Sequence, residues 1–171
     1  MAVKEEEGEL AIRVRTIGQL GLAFPPTAQS ILDWAYANRP QSKILSLAVP
    51  ALPPSVNHMY ISGRAGQRRL TPEALAFREL VKSALGDRPW RPHGLLLAVC
   101  FFSSPHWITK RRLIRKMDVD NRQKALLDAI GNATGVNDCR FWEYHAYKIA
   151  APEVQTSVYV VDLGDIVEWY K

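Results

Sequence analysis

Apolar and polar positions alternate along residues 44–49, and the pattern stops at Pro50 and Pro53-Pro54, where a missing backbone N–H ends a ladder. That segment predicts a half-buried strand. Residues 95–102 are instead almost continuously apolar, which predicts a central strand covered on both faces. Two further strands are expected over 141–149 and 154–161, joined around Pro152. Helical spacing takes over at Thr71-Pro72-Glu73. Thr71 can cap, Pro72 suits the first turn, and Phe77, Leu80, Val81, Ala84 and Leu85 share one side before Gly86. A second helix is expected over about residues 121–133, and residues 55–70 read as a long polar loop.

The resulting order is β-α-β-α-β-β. It defines an α/β (α+β) domain with a small mixed sheet, spanning residues 44–171. Residues 1–43 read as an N-terminal extension in which residues 30–38 form one short helix ending before Pro40. Ile31, Trp34 and Ala35 of that helix would pack against an apolar surface that the sequence does not identify.

A chain of 171 residues suits one domain with its own core. The formal charge of +5 changes the picture because it is uneven. Residues 1–43 hold five basic and five acidic side chains, leaving 17 and 12 for the remainder. Residues 106–124 alone hold seven basic side chains against two acidic ones. A field of that sign suits a phosphate backbone or an anionic membrane surface; a solvated basic face without a partner is the plainer alternative. Cys100 and Cys139 form no CxxC pair, so free thiols and a reducing compartment are expected, with Cys139 as a small apolar filler. The four histidines lack zinc spacing, and His145 reads as a partly buried, hydrogen-bonded strand residue. No apolar run reaches the roughly 18 residues of a membrane span. The acidic Glu5-Glu6-Glu7 is the wrong charge for a secretory signal, so a cytoplasmic protein is expected.

The basic region frames Asp118-Val119-Asp120-Asn121-Arg122-Gln123-Lys124, followed by Asp128 and Asn137-Asp138. If the chain is extended there, Asp118 and Asp120 point to one side. Once the helix begins, Lys124 and then Asp128 follow Asp120 at four-residue steps along one stripe. Asp138 could return to that end after a turn around Thr134-Gly135-Val136. Hard oxygens from separate elements suit Mg²⁺ or Mn²⁺, and a lysine beside them can neutralise charge developing on a phosphate. Asp118, Asp120 and Asp138 are therefore candidate metal ligands, with Lys124 as the candidate phosphate-assisting group. Plainer readings remain open from spacing alone: an Asp120–Gln123 capping box, ordinary pairs of Lys124 with Asp120 and Asp128, and Asp138 as a turn residue.

Three blocks together resemble the RusA family of Holliday-junction resolvases. Pro53-Pro54-Ser55-Val56-Asn57-His58-Met59-Tyr60 resembles that family's PPSxNxxY entry. Leu70-Thr71-Pro72-Glu73 through Phe77-Arg78 is similar to its first helix. Asp118-Val119-Asp120-Asn121 with Lys124, Asp128-Ala129, Gly135-Val136 and Asn137-Asp138 follows its DxDNxxK…DA…G…DD signature. The resemblance covers residues 44–163 and implies a homodimeric, Mg²⁺-dependent endonuclease, bacterial or prophage-encoded, that nicks four-way DNA junctions symmetrically. The essential acidic positions then fall on Asp118, Asp120 and Asp138, and the catalytic lysine on Lys124. Arg111, Arg112, Arg115 and Lys116 are expected at phosphates, and Arg68, Arg69 and Asn57 along the DNA groove, with Asn121, Asp128 and Asn137 in support. Trp107 could be a wedge or stacking residue at the junction centre, or pack in the protein or at a dimer interface. Two departures stand out: Asn137 replaces the first Asp of the DD pair, and the 43-residue extension has no counterpart in the compact members. A non-catalytic branched-DNA-binding protein on the same fold is the competing reading, and a nuclease for flaps or RNA structures is a third.

Overall fold

The computed structural model describes residues 28–62, 67–87, 90–111, 113–115 and 119–164. In order they form α1 (Ala28–Asn38), β1 (Ile44–Val49), β2 (Tyr60–Ser62), β3 (Arg68–Leu70), α2 (Pro72–Leu85), β4 (Leu95–Ser103), α3 (Asp120–Thr134), β5 (Phe141–Ile149) and β6 (Gln155–Gly164). One sheet has the order β1-β6-β4-β5, in which β6 runs antiparallel to both β1 and β4. β5 lies parallel to β4, so α3 is the crossover that two parallel neighbours require. The expected β-α-β-α-β-β order holds for this sheet and its two helices.

The apolar run of β4 is explained by its two covered faces. Leu96, Ala98, Cys100 and Phe102 join Phe77 and Val81 of α2 and Leu126 and Ile130 of α3 in one core. Leu97 and Val99 alternate onto the other face, where they meet Ile31 and Ala35 of α1 with Val161 and Leu163 of β6. The extension's helix therefore packs on the sheet, and Ile31 and Ala35 have no exposed surface. Burying an isoleucine side chain contributes roughly 1.5–3 kcal/mol, so α1 adds to the domain's stability. Cys100 belongs to the first core, where burial pushes its thiol up to about 12.

The expectation of an unstructured polar loop over 55–70 is corrected. β2 and β3 pair as a short antiparallel hairpin, with Tyr60 opposite Leu70 and Ser62 opposite Arg68. Strands of three mostly exposed residues carry no alternation of burial for a sequence pattern to reveal. The loop before it is tied to α2: the Thr71 hydroxyl donates to His58 O at 3.0 Å and accepts from Ala74 N at 3.2 Å, as a cap should.

A second tie closes the far end of the sheet. The Asp162 side chain is fully buried and accepts from His93 N at 3.0 Å, Gly94 N at 3.1 Å, Gly164 N at 3.0 Å and Lys43 Nζ at 3.1 Å. Burial opposes its ionisation. The hydrogen bonds from His93, Gly164 and Lys43 outweigh that and hold its carboxyl below the ordinary value.

Candidate active site

The site is organised by the first turns of α3. Val119 holds the cap position with helical dihedrals (φ −73°, ψ −41°) and makes no side-chain cap bond. Asp120 is therefore the first helical residue, and the capping-box alternative with Gln123 is ruled out. Gln123 is instead buried at 4% exposure. The extended backbone expected between Asp118 and Asp120 is also absent at Val119. Asp118, Arg112 and Lys116 lie outside the described residues. Asp120 is exposed in the first turn of the helix.

Lys124 stands one turn further along the helix. Its ammonium donates to Asp128 Oδ1 at 3.2 Å and lies 3.7 Å from Asp138 Oδ2. The hydrogen bond and charge of Asp128, helped by Asp138 and Tyr60, raise the lysine above its ordinary value against a smaller opposing effect of burial. Lys124 is thus a cation at neutral pH. Asp128 is largely shielded, with 16% side-chain exposure, whereas Lys124 and Asp138 are 53% and 59% exposed. Asp128 acts as the inner strut of this cluster. Asp128→Asn is expected to bring the Lys124 ammonium back toward its ordinary value, and an NMR pH titration of the lysine in both proteins checks this.

Asp138 reaches Lys124 because the chain reverses tightly after α3. Gly135 takes the left-handed conformation (φ 74°) at the helix end. Gly131 permits the close return, since a Cβ there would lie 2.6 Å from Val136 O. Asn137 then caps the short turn Asp138–Arg140 by accepting from Cys139 N at 3.0 Å. Arg140 pins that turn to the sheet, donating to Pro92 O at 2.9 Å and to Gly94 O at 3.0 Å. Cys139 is exposed, so the apolar-filler expectation fails.

A cleft of about 250 Å³ collects Asp120, Lys124, Asp128, Asp138 and Tyr144. A second hollow lies on the other side of Lys124, lined by Asn57, Tyr60, Ser62 and Arg68. Arg68 also stacks over the Tyr60 ring at 5.9 Å. Lys124 lines both hollows, with carboxylates on one side and the β2–β3 hairpin on the other. Arg69 lies on that exposed hairpin, paired with Ile61. Asn121 is half-buried.

Arg122 joins three parts of this framework. It donates to Pro53 O, approaches the Trp107 ring centroid to 6.0 Å, and feels the charge of Glu73. Burial lowers its guanidinium from the ordinary value, with Glu73 opposing. Lys148 sits 5.3 Å from the same ring, and the indole N–H donates to Phe102 O at 2.6 Å. Trp107 is 3% exposed and packed, which removes it as a stacking residue for DNA. His145, as expected, is half-buried and paired, with Nε2 2.8 Å from Glu143. Sequence reasoning missed Tyr144, Arg122 and Arg140, whose roles depend on contacts between distant elements.

Among the described residues no group of three or more His, Cys, Asp and Glu is gathered closely enough to hold a metal ion. Asp120 and Asp138 nevertheless line one open cleft. Two exposed carboxylates with room for water and phosphate match the incomplete hard-oxygen set that Mg²⁺ accepts. Together with the exposed Lys110, Arg111 and Arg115 nearby in the chain, the cleft has the chemistry of a site for phosphodiesters. A family model described as endodeoxyribonuclease RusA matches residues 50–161, about two thirds of the chain. The chain belongs to the RusA family of Holliday-junction resolvases. No curated protein matches it. Among the described residues no helix is long and apolar enough to cross a membrane.

Proposed function

We propose that this protein is a Mg²⁺-dependent, structure-specific endodeoxyribonuclease that resolves four-way DNA junctions by paired nicking, in recombination and repair. The observation that carries the reading is Lys124, held by Asp128 and facing Asp138 in the cleft that Asp120 also lines. Asp120 and Asp138, with Asp118, are the residues that would hold the metal, and Mn²⁺ could substitute. A divalent ion there would supply positive charge for activating water and stabilising the attacked phosphate. Lys124 provides a fixed cation for charge developing on the phosphate oxygens. Arg68 and Arg69 of the hairpin, with Arg111 and Arg115, hold flanking phosphates and set the register of the strand, with Asn57 beside them. Two copies related by a two-fold axis would offer equivalent sites to the equivalent strands of a junction.

Asn137 is the residue that favours a decayed, non-catalytic site. Its side-chain oxygen caps the turn carrying Asp138, and a carboxylate or an amide fills that role equally well. This supports the active reading. Purified protein should be offered a four-way junction, a flap, linear duplex and an RNA hairpin, each with Mg²⁺, Mn²⁺ or EDTA. Paired nicks in the junction alone, abolished by EDTA, are expected. Junction binding without a product under either ion would leave the non-catalytic reading in place, and faster cutting of flap or RNA would change the substrate.

A further inference from the structure

The polar segment between β1 and α2 is short of regular structure, yet it is tied down at both ends. Pro53 O accepts from Arg122 of α3. Thr71 donates to His58 O through its hydroxyl at 3.0 Å and to Met59 O through its N–H at 2.9 Å. Met59 is buried and anchors the segment in the protein. The β2–β3 hairpin stands on this base. Tyr60 and Ser62 share one face of β2, and Arg68, paired opposite Ser62, shares it too, with its guanidinium 5.9 Å from the Tyr60 ring centre. Together with Asn57, Ile61 and Lys124 they line a hollow of about 640 Å³. That volume falls within the roughly 300–1,000 Å³ of small-molecule sites.

We infer, on the reading of the neighbouring cleft as a phosphodiester site, that this hollow is a nucleobase pocket, filled by the unstacked base of the nucleotide next to the cleaved phosphate. The lining is not that of a phosphate groove. Apart from Lys124 and Arg68 it presents a phenol ring, branched aliphatic chains, a carboxamide and a hydroxyl. Tyr60 is 38% exposed and Ile61 51% exposed, so flat and apolar surface is left for a ring to cover. Unstacked bases lie against aromatic rings and guanidinium planes, and Tyr60 with Arg68 offers both. Asn57 can donate and accept at once, as a base edge requires, and the Ser62 hydroxyl can do either. Lys124 is the wall common to this hollow and the carboxylate cleft. A nucleotide whose phosphate meets Lys124 therefore has its base one sugar away, beside the hollow. The several N–H groups of Arg68 let it lie against a ring and still hold a phosphate of the same strand.

The first test needs no cleavage and only wild-type protein. The four deoxynucleoside 5′-monophosphates and the baseless deoxyribose 5-phosphate are titrated in turn, in EDTA, and followed by NMR. At least one nucleotide is expected to shift the Asn57 and Ser62 resonances saturably, while deoxyribose 5-phosphate leaves both in place. Equal shifts from the baseless phosphate, or none at Asn57 and Ser62 from any nucleotide, would overturn the pocket. The second test maps the nick in a four-way junction with Mg²⁺, then removes the base on either side of it while keeping the backbone. Wild-type protein should cut one of these two junctions at least about tenfold more slowly than the intact one, as loss of a stacked base implies. Tyr60→Ala should cut the intact junction more slowly by a similar factor and lose less than about threefold more when that base is missing. Additive losses, or no loss in wild type from removing either base, would overturn the proposal. Nucleotide shifts at Asn57 and Ser62 with no junction cut under Mg²⁺ would keep the pocket and remove the nuclease reading.

Discussion

Asp120→Asn is expected to lower the single-turnover rate of junction cleavage by at least about a thousandfold, comparable to losing a principal source of transition-state charge stabilisation. Asparagine is nearly isosteric, and Asp120 makes no cap bond that the change would break, since Val119 holds the cap position. The helix should therefore form unaltered. Junction affinity is expected to remain within about threefold or to improve slightly, because removing an anion lessens repulsion of the phosphates. Gel-shift and cleavage assays on one junction separate the two effects. A variant that cuts at near wild-type rate would remove Asp120 from the reaction, and one that fails to bind would place it in DNA recognition instead.

The largest stability effect is expected at Asp162, which holds the Gly94 segment that Arg140 also grips. Asp162→Ala removes a buried carboxylate that accepts from three backbone N–H groups and from Lys43. Lys43 is 39% exposed and can turn to water, but the donors of His93, Gly94 and Gly164 are left without this acceptor. The cost is about 3–5 kcal/mol, the range for breaking one side of a buried charged network, and urea unfolding should show it as a lower midpoint. Acid adds a second signature. The Asp162 carboxyl is held below its ordinary value of 3.8, so its contribution is present above that pH and is lost as pH falls through the folded value. The variant should lack this component of the wild-type acid dependence. A variant with wild-type midpoint would mean that water replaces the carboxylate without loss.

The same contrast between local and distant contacts decides what was legible in the chain. Residues 44–49 and 141–149 matched their strands to the residue, because alternation and flanking prolines are local signals. The unbroken apolar run of β4 also announced two covered faces, although not that Ile31 and Ala35 would supply one of the covers. The β2–β3 hairpin escaped because three-residue strands lack a core face. At α3 the helical stripe correctly placed Lys124 beside Asp128. The capping box and the extended register failed together, since both required Val119 to be non-helical. Asp138 returns to Lys124 through Gly131, Gly135 and the bonds of Arg140, contacts between residues that are distant in sequence. Trp107 shows the limit from the other side, because a tryptophan in a basic loop looks available for stacking until its burial is known.

The central claim is that the carboxylate side of the cleft holds the metal on which cleavage depends. It is tested most directly by titrating Mn²⁺ into the junction-bound protein and following free Mn²⁺ by its electron paramagnetic resonance signal. Wild-type protein is expected to show a saturable site, with Asp120→Asn and Asp138→Asn each weakening it by at least about tenfold, as loss of one charged oxygen ligand should. Undiminished Mn²⁺ binding in both variants would contradict the account.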